Sequence, residues 1–158
     1  MAGGGTLSSN FPALNGDEAV VGSAREGFRI VVQDTSPPAG AGLSGFWGPL
    51  RVNCSGRGVG RRCVVMGAFT IRSHGIADVP RTVLRFLLSD NDVVDGTDLL
   101  LKEQHVRPIA SATTLSVPFV GRARGEVTGK RVLAVVDATD VIAEPREDNN
   151  VIATPPLP

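Results

Sequence analysis

Two acidic stretches are where this sequence could do chemistry. In "SDNDVVDGTD", Asp90, Asn91, Asp92, Asp95 and Asp98 could offer several oxygens to one hard cation. Ca²⁺ takes about six to eight oxygen ligands from carboxylates, carbonyls and water. The EF-hand spacing is absent: the third acidic position has slipped by one, and no Glu stands at the loop's closing position. Turn chemistry accounts for the same residues, because Asp and Asn hydrogen-bond their own backbone and Asp95-Gly96 is a strong turn dipeptide. Calcium at Asp90, Asp92, Asp95 and Asp98 is the one cofactor expectation the sequence raises. The second stretch, "VVDATDVIAEPREDNN", carries Asp137, Asp140, Glu144, Glu147 and Asp148. Strands send alternate side chains to opposite faces, and glycoside hydrolysis needs two carboxylates facing one cleft. Asp137 is therefore expected to end a strand and accept backbone N–H bonds, and Asn149-Asn150 to supply a turn. His74 and His105 have no nucleophile motif such as GxSxG beside them. No catalytic residue is assigned, and the chain is expected not to be an enzyme.

The basic residues cluster more tightly. Arg57, Arg61 and Arg62 lie between the two cysteines, and Arg122 and Arg124 lie in "GRARG". If those segments share one end of the fold, they form a patch suited to an acidic glycan, a phosphate or an acidic protein surface. The bland alternative is a solvated hairpin tip. Nucleic acid is disfavoured, since Lys plus Arg (16) balance Asp plus Glu (16) and aromatics are too few for base stacking. Membrane insertion is disfavoured too, because no stretch approaches the roughly 20 apolar residues of a membrane helix. Trp47, the sole tryptophan, is expected in the core or over one end of it.

Cys54 and Cys63 flank a Gly/Arg-rich turn in "VNCSGRGVGRRCVV". The spacing is wrong for a CxxC redox pair, and two sulfurs make a poor zinc site. A hairpin would set them opposite each other, within disulfide range; two buried free thiols are the alternative. A disulfide places the chain in an oxidising compartment. The start, "MAGGGTLSSNFPALNG", has neither the charged nor the apolar region of a signal peptide. The expectation is a piece of a larger secreted protein, or a mature N-terminus with an added Met.

The elements that must position these residues read as strands. Residues 1–17 read as loose, 18–36 hold one strand candidate in "FRIVV", and "PPAGAGLSG" (37–45) reads as a linker. From Phe46 the pattern alternates. Val65, Gly67, Phe69 and Ile71 share one face, and Leu84, Phe86 and Leu88 share another. "KRVLAVVD" is the strongest strand, and turn signals recur at intervals near ten residues. No segment has a sustained helical period. The chain therefore reads as all-β, an antiparallel β-sandwich, with a 1–43 extension before a 44–158 domain.

Three motifs in order carry a resemblance. Phe86-Leu87-Leu88-Ser89 ends a strand, Asp98-Leu99-Leu100 follows an Asp-rich turn, and Val135-Val136-Asp137 precedes Glu144, Glu147 and Asn149-Asn150. Together they resemble the bacterial cell-adhesion-related domain family, CARDB, over roughly residues 44–153, although Leu87 stands where an aromatic is usual. The resemblance implies an immunoglobulin-like sandwich of about seven strands. It also implies a non-catalytic structural or adhesive module of a secreted or cell-surface prokaryotic protein, meeting a protein or glycan partner. Two alternatives belong beside it. One is a carbohydrate- or calcium-dependent binding module. The other is a polymer subunit that self-associates through strand addition by 18–36.

Overall fold

The computed structural model describes residues 18–23, 29–33, 40–144 and 147–158. Two compact units divide the chain, Met1–Ser36 and Pro37–Pro158. In the first, β1 (Glu18–Ser23) and β2 (Arg29–Gln33) pair antiparallel, with Val20 opposite Val31. The apolar runs either side of residues 24–28 thus make two strands where the sequence suggested one. Residues 1–17, read from sequence as loose, lie outside the described residues.

Among its described residues the second unit carries eight strands: β3 (Ala41–Trp47), β4 (Arg51–Ser55), β5 (Arg62–Gly75), β6 (Thr82–Ser89), β7 (Leu99–Val106), β8 (Thr114–Arg124), β9 (Arg131–Val135) and β10 (Val151–Ala153). They form two antiparallel sheets. One has the order β10-β9-β6-β7. In the other, β5 pairs with β8 along one side and with β3 and then β4 along the other. β3 and β4 are in effect one edge strand interrupted at residues 48–50, which reconciles the eight strands with an expectation of about seven.

β3 begins inside the stretch read as a linker. Its glycines are close-approach residues rather than flexible ones. A Cβ on Gly45 would drive into the Phe69 ring and stand 2.9 Å from the Thr70 carbonyl oxygen. Gly67 does the same for the interruption: a Cβ there would meet the Leu50 side chain and stand 2.9 Å from the Pro49 carbonyl oxygen. His74 is a half-buried residue near the end of β5.

The alternation read from the sequence builds the core. Val65, Phe69, Ile71, Leu84 and Phe86 are fully buried, and Leu88 nearly so. Trp47 joins the sheets. Its ring lies 5.1 Å from Phe69 and 5.4 Å from Phe86, centroid to centroid, and its Nε1 donates to the Ile152 carbonyl of β10 at 3.0 Å. Such edge-on and tilted ring contacts add about 0.5–1.5 kcal/mol each beyond area burial. On the opposite flank, β7 carries a one-residue bulge at Leu101, and glycine at 121 leaves room for the Leu101 side chain.

The segment after β9 is organised by carboxylates. Val136 is followed by Asp137 in the left-handed region (φ 50°), which Asp tolerates better than most residues. Asp137 Oδ1 accepts from the Thr82 hydroxyl, and Oδ2 accepts from Ile142 N–H at 2.8 Å. Glu147 accepts from Glu144 N–H at 2.9 Å and from the Asn150 side-chain amide at 2.7 Å. Glu144 reaches across to accept the Leu43 N–H of edge strand β3 at 2.9 Å. Burial, with repulsion from Glu147 and Asp137, pushes the Glu144 carboxyl up to about 7; the Leu43 N–H opposes that rise.

Two predictions follow from these contacts. Cys54 and Cys63 face each other across β4 and β5 in a disulfide, with Cα atoms 4.1 Å apart and a sequence separation of 9. Closing so short a loop stabilises by about 2–3 kcal/mol in the chain-entropy model. Denaturant melts with and without reductant should differ by that amount, and superimposable melts would contradict it. Glu144 has a raised folded-state value, so between 4.5 and about 7 the folded state binds more protons than the unfolded chain. Stability should therefore fall as pH rises through that window and level off above it. Glu144→Gln keeps an acceptor for Leu43 and should flatten the slope. Asp95 and Glu126, whose carboxyls are held low by hydrogen bonds, act at more acidic pH. An unchanged slope in the Gln variant would refute the assignment to Glu144.

Candidate anion-binding face

Register alone builds an arginine-rich face on the outer side of the β5 sheet. Along β5 the buried set is Cys63, Val65, Phe69, Ile71 and Ser73, so Arg62, Val64 and Met66 turn outward. Ser55 and Arg124 stand opposite Arg62; Asn53 and Arg122 stand opposite Val64; Arg51 and Val120 stand opposite Met66. The result is a grid of three strands by three residues. Rows lie about 6.7 Å apart along the strands and columns about 4.8 Å apart across them. β8 alternates strictly: Val117, Phe119, Gly121 and Ala123 are buried, while Arg122 and Arg124 are exposed.

Arg51, Arg62, Arg122 and Arg124 are all exposed on this face. The ion pairs among the described residues are Arg61–Glu126, Arg85–Glu103 and Lys130–Asp90, so none involves these four arginines. Arg62 and Arg124 are directly opposed, an arrangement of like charges that costs stability. An open hollow of about 700 Å³ lies there, lined by Asn53, Ser55, Arg62, Arg122 and Arg124 among others. Arginine presents planar, bidentate donors suited to carboxylate, sulfate or phosphate.

Of the basic residues singled out in the sequence, the structure brings Arg62, Arg122 and Arg124 together. Arg61 pairs with Glu126 at 2.6 Å. The Glu126 carboxyl is held low mainly by hydrogen bonds from Thr128, hydroxyl first and backbone second, with Arg61 contributing. Arg57 sits exposed before a 3₁₀ turn at Gly58–Gly60. Sequence reasoning missed Arg51. Its signal was present, since counting back from the Cys54–Cys63 pairing puts position 51 opposite Met66 on the face of Arg62.

The acidic turn serves its own backbone. Asn91 accepts from Val93 N–H at 2.7 Å, Asp95 from Thr97 N–H at 2.7 Å, and Asp98 from Asp95 N–H at 2.9 Å. Hydrogen bonds from the Thr97 hydroxyl, the Thr97 N–H and then Asn91 hold the Asp95 carboxyl below its usual range. Asp90 pairs with Lys130, and Asp92 is exposed. Among the described residues, no group of three or more His, Cys, Asp or Glu side chains is arranged to hold a metal ion. Four large apolar side chains stand exposed in and just beyond this turn: Val93, Val94, Leu99 and Leu100.

The CARDB family model matches residues 65–154. Among curated proteins none matches. A similar solved structure is the CARDB domain of the PF1109 protein from Pyrococcus furiosus, crystallised in complex with di-metal ions. It is 19% identical, with a TM-score of 0.47, and the match covers 72% of this chain and 89% of that one. At that distance the likeness transfers no residue roles. The family match spans the strands from β5 to β10 and the carboxylate-held segment between β9 and β10, and on that ground the chain belongs to the CARDB family.

Proposed function

We propose that this chain is a non-catalytic adhesive module of a secreted or cell-surface prokaryotic protein, and that it holds an anionic partner on the arginine face. The carrying observation is the set of four exposed arginines, none with an ion pair among the described residues, fixed in register on a strand-paired sheet. Family membership supports an adhesion-related role. The Cys54–Cys63 disulfide supports an oxidising compartment. Asp137 and Glu144, two of the carboxylates in the second acidic stretch, are bonded to backbone N–H groups, which supports a structural role for them.

Surface attraction of this kind is screened by salt, with a Debye length of about 8 Å at physiological ionic strength. The full chain should therefore be retained on a sulfated-polysaccharide column at low salt and released by added NaCl. Arg62→Ser/Arg122→Ser/Arg124→Ser should pass through unretained. Its stability should stay within about 0.5 kcal/mol, or rise slightly, because exposed and mutually repelling charges are removed. Equal retention of the variant and the parent chain would sink the assignment.

A further inference from the structure

Two surfaces of the second unit lack a partner among the described residues, and they complement each other. The arginine face has charge at Arg51, Arg62, Arg122 and Arg124 around an apolar set, Val64, Met66 and Val120, of which Val120 is 49% exposed. The acidic turn has Asp92 and Asp95 exposed, with Val93 at 63%, Leu99 at 49% and Leu100 at 52% exposure. A contiguous apolar group rimmed by charge marks an interaction surface more often than a solvated one. Arginine and methionine are enriched at protein interfaces, and lysine is depleted; all four cations of the face are arginine.

We propose that the arginine face of one copy docks the 90–100 turn of a second copy. This rests on the adhesive reading above and names the partner. Charge complementarity selects this occupant. The chain has no net charge, so copies meet without bulk repulsion, while the local fields of face and turn have opposite sign. The turn is held rigid by its own Asn91, Asp95 and Asp98 hydrogen bonds, so little conformational freedom is lost on docking. The face is equally fixed, since β4 is tied to β5 by backbone pairing and the disulfide. Val93 and Val94 of the turn would cover Met66 and Val120, while Asp92 meets the arginines around them. Two copies that satisfy both ends reciprocally form a closed, isologous dimer; copies that do not make a heterologous, head-to-tail contact that closes into a ring or propagates.

The test is light scattering on the full chain across protein concentration, at low and at high salt. The parent chain should exceed monomer mass at low salt and return to monomer at high salt. Arg62→Glu/Arg124→Glu, on the face, and Asp92→Lys/Val93→Lys, on the turn, should each stay monomeric alone while keeping the parent's circular dichroism. Mixing the two should restore association, because each supplies the complement of the other. A parent chain that is monomeric at every concentration and salt overturns the self-docking proposal; if it still binds the polyanion column, the anionic-partner reading stands. Loss of both overturns both. Association of either variant alone at the parent's strength also overturns self-docking, since it assigns the contact to another surface.

Discussion

β5 is hydrogen-bonded along both of its sides, and the position of every outward side chain on the arginine face derives from that register. β8 pairs with it from Arg62 to Arg72, β4 from Arg62 to Met66, and β3 from Phe69 to Gly75. With a side-chain period of two, slipping either neighbour by one residue would send its arginines inward and its core residues out to water. The inward side prevents this. Phe69, Ile71, Phe119 and Val117 are buried against Phe86 and Leu84 of the facing sheet, and a slip would expose them. Burial of a side chain of this size is worth about 1.5–3 kcal/mol, far more than the repulsion between Arg62 and Arg124 costs. The core thus tolerates like charges facing each other on its outer surface.

Carboxylates do a different job on the far side of β9. Asp137, Glu144 and Glu147 supply acceptors to N–H groups that no strand pairs. The Glu144 contact is the most consequential, because it reaches Leu43 on edge strand β3. Trp47, on the same strand, bonds the Ile152 carbonyl of β10. The two sheets are therefore linked on this flank by one carboxylate and one indole as well as by the core. An unsatisfied buried N–H costs about 1–3 kcal/mol, which explains why an acid would be kept where its charge is disfavoured.

Much of this was legible in the sequence. The alternation in "CVVMGAFTIRS" and "RTVLRFLLSD" placed the core, and the cysteine spacing placed the β4–β5 pairing. Asp137 was readable as a strand terminator because Asp both caps and tolerates positive φ. What stayed hidden required knowing what lies across space. Gly45 read as linker because a glycine that accommodates a ring looks, in one dimension, like a glycine that bends a chain. Arg51 was overlooked because grouping by loop, rather than by cross-strand position, left it outside the cluster. The link from Glu144 to Leu43 joins residues 101 apart in sequence, beyond any local pattern.

The central claim is that the arginine face, rather than basic charge in general, receives an anionic partner. Side-chain Nε–Hε resonances of arginine report it directly in a nuclear magnetic resonance titration with a soluble polyanion. The account predicts saturable shifts at Arg51, Arg62, Arg122 and Arg124, with Arg81, Arg85 and Arg107 still. Uniform small shifts across all of them, or larger shifts at Arg81 and Arg107, would contradict it.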